Sequence, residues 1–460
     1  MKVLVLGIDG APPNLIDEWI EHLPTFRRFR ERGILGKVIP PIPAQTPVAW
    51  ATFTTGKNPG NHGIFSFALR SAGTYKRKII GPEMLASKSL WCVLRDNAKR
   101  IGLVNVPMSD VEEVKGFIIP GFLSRSEGIP YPSRVRDKIR RRFRAEKIAG
   151  DLGVETLERV RSDPALFFRR VNDMTDEMAD VSLYLLEEES WDFFMMVFMG
   201  MDRINHFFWK HIDKAHPKYE ANEYSRLAKE FYIKIDRITD AVMNSVDNTL
   251  VILLSDHGFC SVGKEVMVNN YLEELGLLER SGSGIDPRRS KAVSYGYGDI
   301  WLNVRGREPN GLIEPGDEYE QVRDMIISQL GRITIKGELP FKHVKKREEI
   351  YRGSHLNEAP DLLAIFNVGW QAVRRPEIMQ KRDSKSYINE DPMWSGGHDG
   401  AHDPADVPGV LGLLGPGVQG EKSIMANLCD MAPTILDLMG ISIPNDMDGI
   451  SLATAITSRR

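Results

Sequence analysis

Cysteine is scarce in this chain. Three occur in 460 residues, Cys92, Cys260 and Cys429, far apart and never in a CxxC spacing. That excludes a disulfide framework and a zinc–thiolate site. Also absent is an apolar stretch of the roughly 18 to 20 residues that a membrane helix needs. The chain opens on an apolar run, Val3 to Ile8, but the run is short, lacks a small-residue cleavage site and meets Asp9 and two prolines at once. It reads as a first β-strand rather than a signal core, so the expected location is the cytoplasm. No sign of charge dominates: the formal net charge is −3. Neither a footprint for duplex nucleic acid nor a membrane-surface patch follows. The one basic run, Arg134 to Lys147, reads as a solvated helix face. No internal repeat or low-complexity tract is found.

What is present suffices for a large core, since 42% of the residues are hydrophobic. One big domain with insertions and two domains both fit that size. Val3–Ile8, Ile101–Val106, Phe193–Phe198, Leu250–Leu254 and Val410–Leu414 are continuous apolar runs, with a weaker one at Gly116–Pro120. Such runs suit strands buried on both faces of a mostly parallel sheet. Helical spacing marks Leu15–Arg32 (with Pro24 to kink it and Gly33 to end it), Val48–Thr54, much of 134–190, Tyr219–Val246 and Leu428–Met439. Strands alternating with helices predict a three-layer α/β/α fold. Residues 265–395 carry turns and charge instead. They are assigned to an insertion or edge subdomain, with 1–264 and 396–460 forming the core.

The chemistry lies in where Asp and His fall. Asp9 ends the first strand, Asp202 and His206 follow Phe193–Phe198, Asp256 and His257 end Leu250–Leu254, and His398 and His402 precede Val410–Leu414. In open α/β sheets ligands bind at the carboxyl ends of strands, so one crevice can gather the first three groups. The last pair precedes its strand, and its loop must reach over. Asp202 and His206, four apart, share one helical face. Each residue also has a plain structural reading, as a cap, a turn or a satisfied core group. Oxygen and imidazole donors without thiolate suit zinc, manganese or iron(II). Six such ligands and a hydroxyl are enough for two ions, which together clamp an in-line displacement at phosphorus.

The hydroxyl candidate is Thr46, in Pro43-Ala44-Gln45-Thr46-Pro47-Val48. Pro47 fits the first helical position, which puts Thr46 at the N-cap. There it either caps the helix or faces a phosphate bound at the helix N-terminus. A metal would supply the activation that a weak Thr nucleophile needs. Thr52, Thr54 and Thr55 lie further along the helix and are poorer candidates.

At these residues the chain resembles the alkaline phosphatase superfamily, and most of all its type I phosphodiesterase and nucleotide pyrophosphatase branch. The matching pieces are Gly7-Ile8-Asp9-Gly10, Thr46-Pro47 through Thr55-Gly56, and Pro59-Gly60-Asn61-His62-Gly63-Ile64. Next come Met201-Asp202-Arg203-Ile204-Asn205-His206 and Ser255-Asp256-His257-Gly258-Phe259, then His402 with Asp406-Val407-Pro408 and Gly415-Pro416-Gly417. The pieces follow the family order and span nearly the whole chain. The resemblance implies a hydrolase of small-molecule phosphate esters with two divalent ions, zinc first, manganese or iron as alternatives. It implies Asp9, Thr46, Asp256 and His257 around one ion and Asp202, His206 and His402 around the other. Thr46 would be phosphorylated and then released by water.

Two departures stand out. Where relatives carry an Asn that binds a phosphate oxygen, this chain has Phe67 after Ser66. Arg203 is a candidate substitute, a surface ion pair its alternative. His402 is preferred to His398 because Val407-Pro408 follows it. His62 is expected to hold a turn and Cys260 to pack. A phosphate mutase or transferase is the competing activity, with Lys342, Lys345, Lys346 and Arg347 as a basic cap. A non-catalytic relative is the third reading. A sulfatase does not fit, because Thr46 stands where that group has a modified Cys or Ser.

Overall fold

The computed structural model describes residues 1–71, 73–281, 284–373, 387–419 and 423–457. Its main sheet has eight strands: β1 (Lys2–Ile8), β2 (Ile34–Ile39), β3 (Arg100–Val106), β4 (Lys115–Pro120), β5 (Phe193–Phe198), β6 (Thr249–Leu254), β7 (Gly409–Leu414) and β8 (Met425–Asn427). Their order is β8-β2-β7-β6-β1-β5-β3-β4. β1 is parallel to β5 and β6, β3 to β4 and β5, and β2 to β8; β7 runs against both its neighbours, β2 and β6.

The apolar runs are continuous because alternate residues enter two cores. Leu4, Leu6 and Ile8 of β1 join one, and Val3 and Val5 the other. On the first face lie α2 (Pro164–Glu188), α3 (Gly200–Phe208) and α4 (Glu223–Asn244); on the second lie α1 (Thr46–Thr55) and the helices Leu90–Asp96 and Met431–Leu438. The fold is thus a three-layer α/β/α sandwich. Pro24 does not kink one long helix. It opens the second of two short ones, Pro13–Glu18 and Pro24–Arg32, as suits a residue with no N–H to lose in a first turn. The basic run becomes the helix Ser133–Phe143, whose Arg134 and Lys138 pair with Glu189.

The stretch 265–395 contains a second sheet, Ala292–Val293, Asp299–Leu302, Leu362–Phe366 and Phe341–Lys346 in that order, over its own core from Val266 to Ala372. The strand Cys260–Val266 pairs with Gly369–Ala372, Ile388–Asn389 and Gly396–Gly397, and so ties both ends of the stretch to the main body. Among the described residues no helix is long and apolar enough to cross a membrane.

The reversal of β7 positions the site. Its amino end lies where β6 finishes, with Ser255 N–H donating to the Val410 carbonyl at 2.9 Å. The loop before β7 therefore opens at the edge where β1, β5 and β6 end, and need not cross the sheet.

Candidate active site

Four segments bring their polar residues together at that edge. Asp9 follows β1, Asp202 and His206 lie on α3 just after β5, Asp256 and His257 follow β6, and His398 lies in the loop before β7; all six are buried. α3 places Asp202 Oδ1 3.3 Å from His206 Nε2, one helical turn away. His398 Nε2 is 3.2 Å from the same oxygen and 3.1 Å from His206 Nε2. On the other side His257 Nε2 lies 3.1 Å from Asp256 Oδ2, 3.6 Å from Asp9 Oδ1 and 3.5 Å from Thr46 Oγ1.

Each carboxylate is tied at one oxygen and accepts no hydrogen bond at the other. Asp9 Oδ2 accepts from Trp50 Nε1 at 3.0 Å, Asp256 Oδ1 from Gly10 N–H at 3.3 Å, and Asp202 Oδ2 from Arg203 Nη1 at 2.7 Å. The opposite oxygens, Asp9 Oδ1, Asp256 Oδ2 and Asp202 Oδ1, are buried and accept no hydrogen bond. The imidazoles, too, are held from behind. Nδ1 of His206, His257 and His398 faces the carbonyls of Gly396 (3.1 Å), Gly258 (3.2 Å) and Ala44 (2.7 Å). A carbonyl needs a donor, so the proton sits on Nδ1 and the Nε2 lone pair points inward. The Nε2 atoms of His206 and His398, 3.1 Å apart and both within 3.3 Å of Asp202 Oδ1, are placed to share one cation, a proton or a metal ion. Buried oxygens without donors cost free energy. This donor set fits divalent metal, with outer partners fixing ligand orientation.

The electrostatics agree. Burial, together with the charges of Asp256 and Asp202, pushes Asp9 well above the usual carboxylate range. Burial likewise raises Asp256. It acts on Asp202 too, but His206 and Arg203 outweigh it and hold that carboxyl well below its usual value. A cation among these groups would favour the ionised form of all three.

Thr46 is the first residue of α1 rather than its cap; Gln45 is the N-cap and no side chain caps the helix. The Gln45 amide is used elsewhere, donating to the Asp399 carbonyl at 3.1 Å and accepting from Phe67 N–H at 3.2 Å. The Thr46 hydroxyl is therefore not spent on capping.

Of the two histidines before β7, the structure brings His398 rather than the expected His402 to this group. After His398 the chain turns away at Ala401 (φ 54°), whose carbonyl accepts from Phe366 N–H. His402 then bridges Phe366 and sets its Nε2 2.9 Å from the Trp370 carbonyl, at the seam with the second sheet. The imidazole beside Asp202 and His206 is His398. Arg203 is no surface residue either: it is nearly enclosed and grips Asp151 as well as Asp202. Phe67 is half-buried, its ring 6.3 Å from Phe122 and 6.0 Å from Tyr297. His62 holds its turn between Thr52 Oγ1 (3.0 Å) and Ile64 N–H (3.2 Å), and Cys260 packs with Ala44 and Val407.

Other residues escaped the sequence reading. Trp50, four after Thr46 and so on its helical face, carries the signal in its spacing. Gly10 has φ 70°, and a Cβ there would meet Asp202 Cα at 2.9 Å and Phe259 Cε2 at 2.6 Å. Asp399, Asp151 and Trp394 (ring centroid 3.7 Å from that of His206) had no signal in spacing.

A three-layer α/β/α fold gathers at its strand ends buried Asp and His side chains that could hold metal ions, with a Thr hydroxyl beside them. The profile of the family described as "Type I phosphodiesterase / nucleotide pyrophosphatase" matches residues 3–398. The chain belongs to that family, within the alkaline phosphatase superfamily, and is a phosphoric ester hydrolase. No curated protein matches it. Among solved structures it is similar to human ectonucleotide pyrophosphatase / phosphodiesterase 5, with TM-score 0.59, 15% identity and 100% of each chain covered. An inactive variant of the murine protein in complex with AMP gives 0.60, 15% and 100% of each chain. At that identity the likeness shows the fold.

Proposed function

We propose that the chain hydrolyses small-molecule phosphate esters through Thr46 with two divalent ions, zinc first among the candidates. Asp9, Thr46, Asp256 and His257 would hold one ion, and Asp202, His206 and His398 the other. The observation that carries this reading is the convergence of three buried carboxylate oxygens that accept no hydrogen bond on three imidazole Nε2 atoms, with the other atom of each group held from behind.

When bound, the ions supply Lewis acidity and neutralise the charge of the phosphoryl group. The chain does the rest. The first turn of α1 aims the Thr46 hydroxyl at phosphorus. His257, its Nδ1 proton held by the Gly258 carbonyl, keeps Nε2 toward that hydroxyl. Attack by Thr46 Oγ1 forms a Thr–O–P bond and breaks the bond to the leaving oxygen, which takes up the proton that the hydroxyl gives up. Water then attacks the phosphothreonine, releases phosphate or a phosphomonoester, and restores the hydroxyl.

The substrate end of the ester would meet the half-buried rings of Phe67, Phe122 and Tyr297. They border the site between Gln45, beside Thr46, and Arg203, whose guanidinium lies 5.8 Å from the Phe122 ring. A flat or apolar leaving group suits that rim better than a second charged one. Because a structural neighbour holds AMP, nucleotide esters belong first in a substrate screen. Of the four basic residues that the mutase reading calls on, three face carboxylates: Lys342 pairs with Asp403 and Asp406, Lys346 with Glu320 and Asp324, and Arg347 with Glu348 and Asp361, which favours the hydrolase. A cytoplasmic location accords with three free cysteines.

The test is turnover of nitrophenyl mono- and diesters, with metal content measured on the same samples. Metal-loaded protein should turn over, chelated protein should not, and Thr46→Ala should keep metal yet lose turnover. Full activity in Thr46→Ala would overturn the assignment.

A further inference from the structure

Of the three tied carboxylates, Asp9 and Asp256 are held by neutral donors, Trp50 and the Gly10 backbone, whereas Asp202 is held by a guanidinium. A bare guanidinium would compete with a divalent ion for Asp202. It is not bare. Asp151 clamps Arg203 with both oxygens, Oδ1 at 2.8 Å from Nε and Oδ2 on Nη2, which leaves Nη1 for Asp202. Only 8% of the Asp151 side chain and 11% of the Arg203 side chain remain exposed.

The loop that carries Asp151 is fixed by a local departure from regular structure. The β3–β4 register shifts at Asn105, which is buried with φ 56°. Irregularities of this kind re-aim side chains near active sites. The Asn105 amide donates both to Gly150 O (3.0 Å) and to Val197 O (2.9 Å), joining the loop to the end of β5, from which α3 and Asp202 depart. Gly150 is required there: a Cβ would lie 2.0 Å from Asn105 Oδ1.

We infer that Asp151 is a positioning residue which, through Arg203, sets the affinity of the Asp202–His206–His398 group for its ion and leaves the Thr46-side group untouched. The pair Asp151–Arg203 delivers one oriented hydrogen bond without adding net charge. Without Asp151 the guanidinium carries an uncompensated charge against the ligand it should orient. Arg203 is thereby a structural partner of Asp202, with its fork committed to two carboxylates, rather than a replacement for the Asn that Phe67 displaces.

This inference rests on the two-ion reading, and one titration separates the two. Zinc and Co2+ binding are measured on wild type, Asp151→Asn, Arg203→Lys and Trp50→Phe, with Co2+ absorption bands reporting each site. Wild type should bind two ions. Asp151→Asn should weaken one by about 10- to 100-fold, the range seen for outer partners of metal ligands, and leave the other band unmoved. Arg203→Lys, which keeps the charge but not the fork, should weaken the same ion. Trp50→Phe should weaken the other. A purely structural role would move both affinities together or neither, and either outcome in Asp151→Asn overturns the inference while the two-ion reading stands. Fewer than two ions in wild type overturns that reading first.

Discussion

Mild acid should destabilise this fold through His62. The imidazole is fully enclosed, donates from Nε2 to Thr52 Oγ1 and accepts the Ile64 N–H at Nδ1. That arrangement admits one neutral tautomer, because a proton on Nδ1 would point at an N–H. Burial pushes its pKa from 6.5 down to about 3, with nearby Asp448 opposing. In the unfolded chain the ring returns to about 6.5 and takes up a proton first. The contribution is therefore complete above about pH 6.5 and is lost as pH falls toward the folded value. Well inside that window each pH unit costs about 1.4 kcal/mol, so going from about pH 7 to about pH 5 removes about 2 kcal/mol. Urea unfolding at about pH 7, 6 and 5, on wild type and His62→Gln, isolates the effect because the variant has nothing to titrate there. Parallel stability curves for the two proteins would refute the reasoning.

Two further predictions concern the ligand cluster. His398→Ala should lose one ion per chain by elemental analysis, whereas His402→Ala should retain both and lose stability instead, since its imidazole serves the Trp370 carbonyl. Gly10→Ala should disturb Asp202 and Phe259 and also strain a residue held at φ 70°; about 1–3 kcal/mol of lost thermal stability is expected, together with weaker metal binding.

The layers were legible because strands buried on both faces leave continuous apolar runs. β5 was read to its exact ends and β1, β3 and β6 to within a residue. β2 was missed: Gly36 and Lys37 interrupt its run, and its edge-side partner β8 has only three residues. Asp9, Asp202, His206, Asp256 and His257 could be named because each follows a strand that periodicity reveals. The last imidazole could not be fixed that way. Whether His398 or His402 enters the site depends on where the chain turns at Ala401 and on the reversal of β7, and neither leaves a mark in residue spacing. The Thr46 cap was misplaced by one residue, and that residue decides whether the hydroxyl is spent. Asp151 lies 51 positions from Arg203's neighbour Asp202, a separation that no residue spacing bridges.

The central claim is that Thr46 carries the phosphoryl group. Acid quenching of metal-loaded enzyme during turnover of a phosphate ester, followed by peptide mass analysis, tests it most directly. The account predicts a phosphoryl group on the peptide containing Thr46, absent from Thr46→Ala and from chelated enzyme. Steady turnover with no phosphorylated Thr46, or a phosphoryl group on another residue, would contradict it.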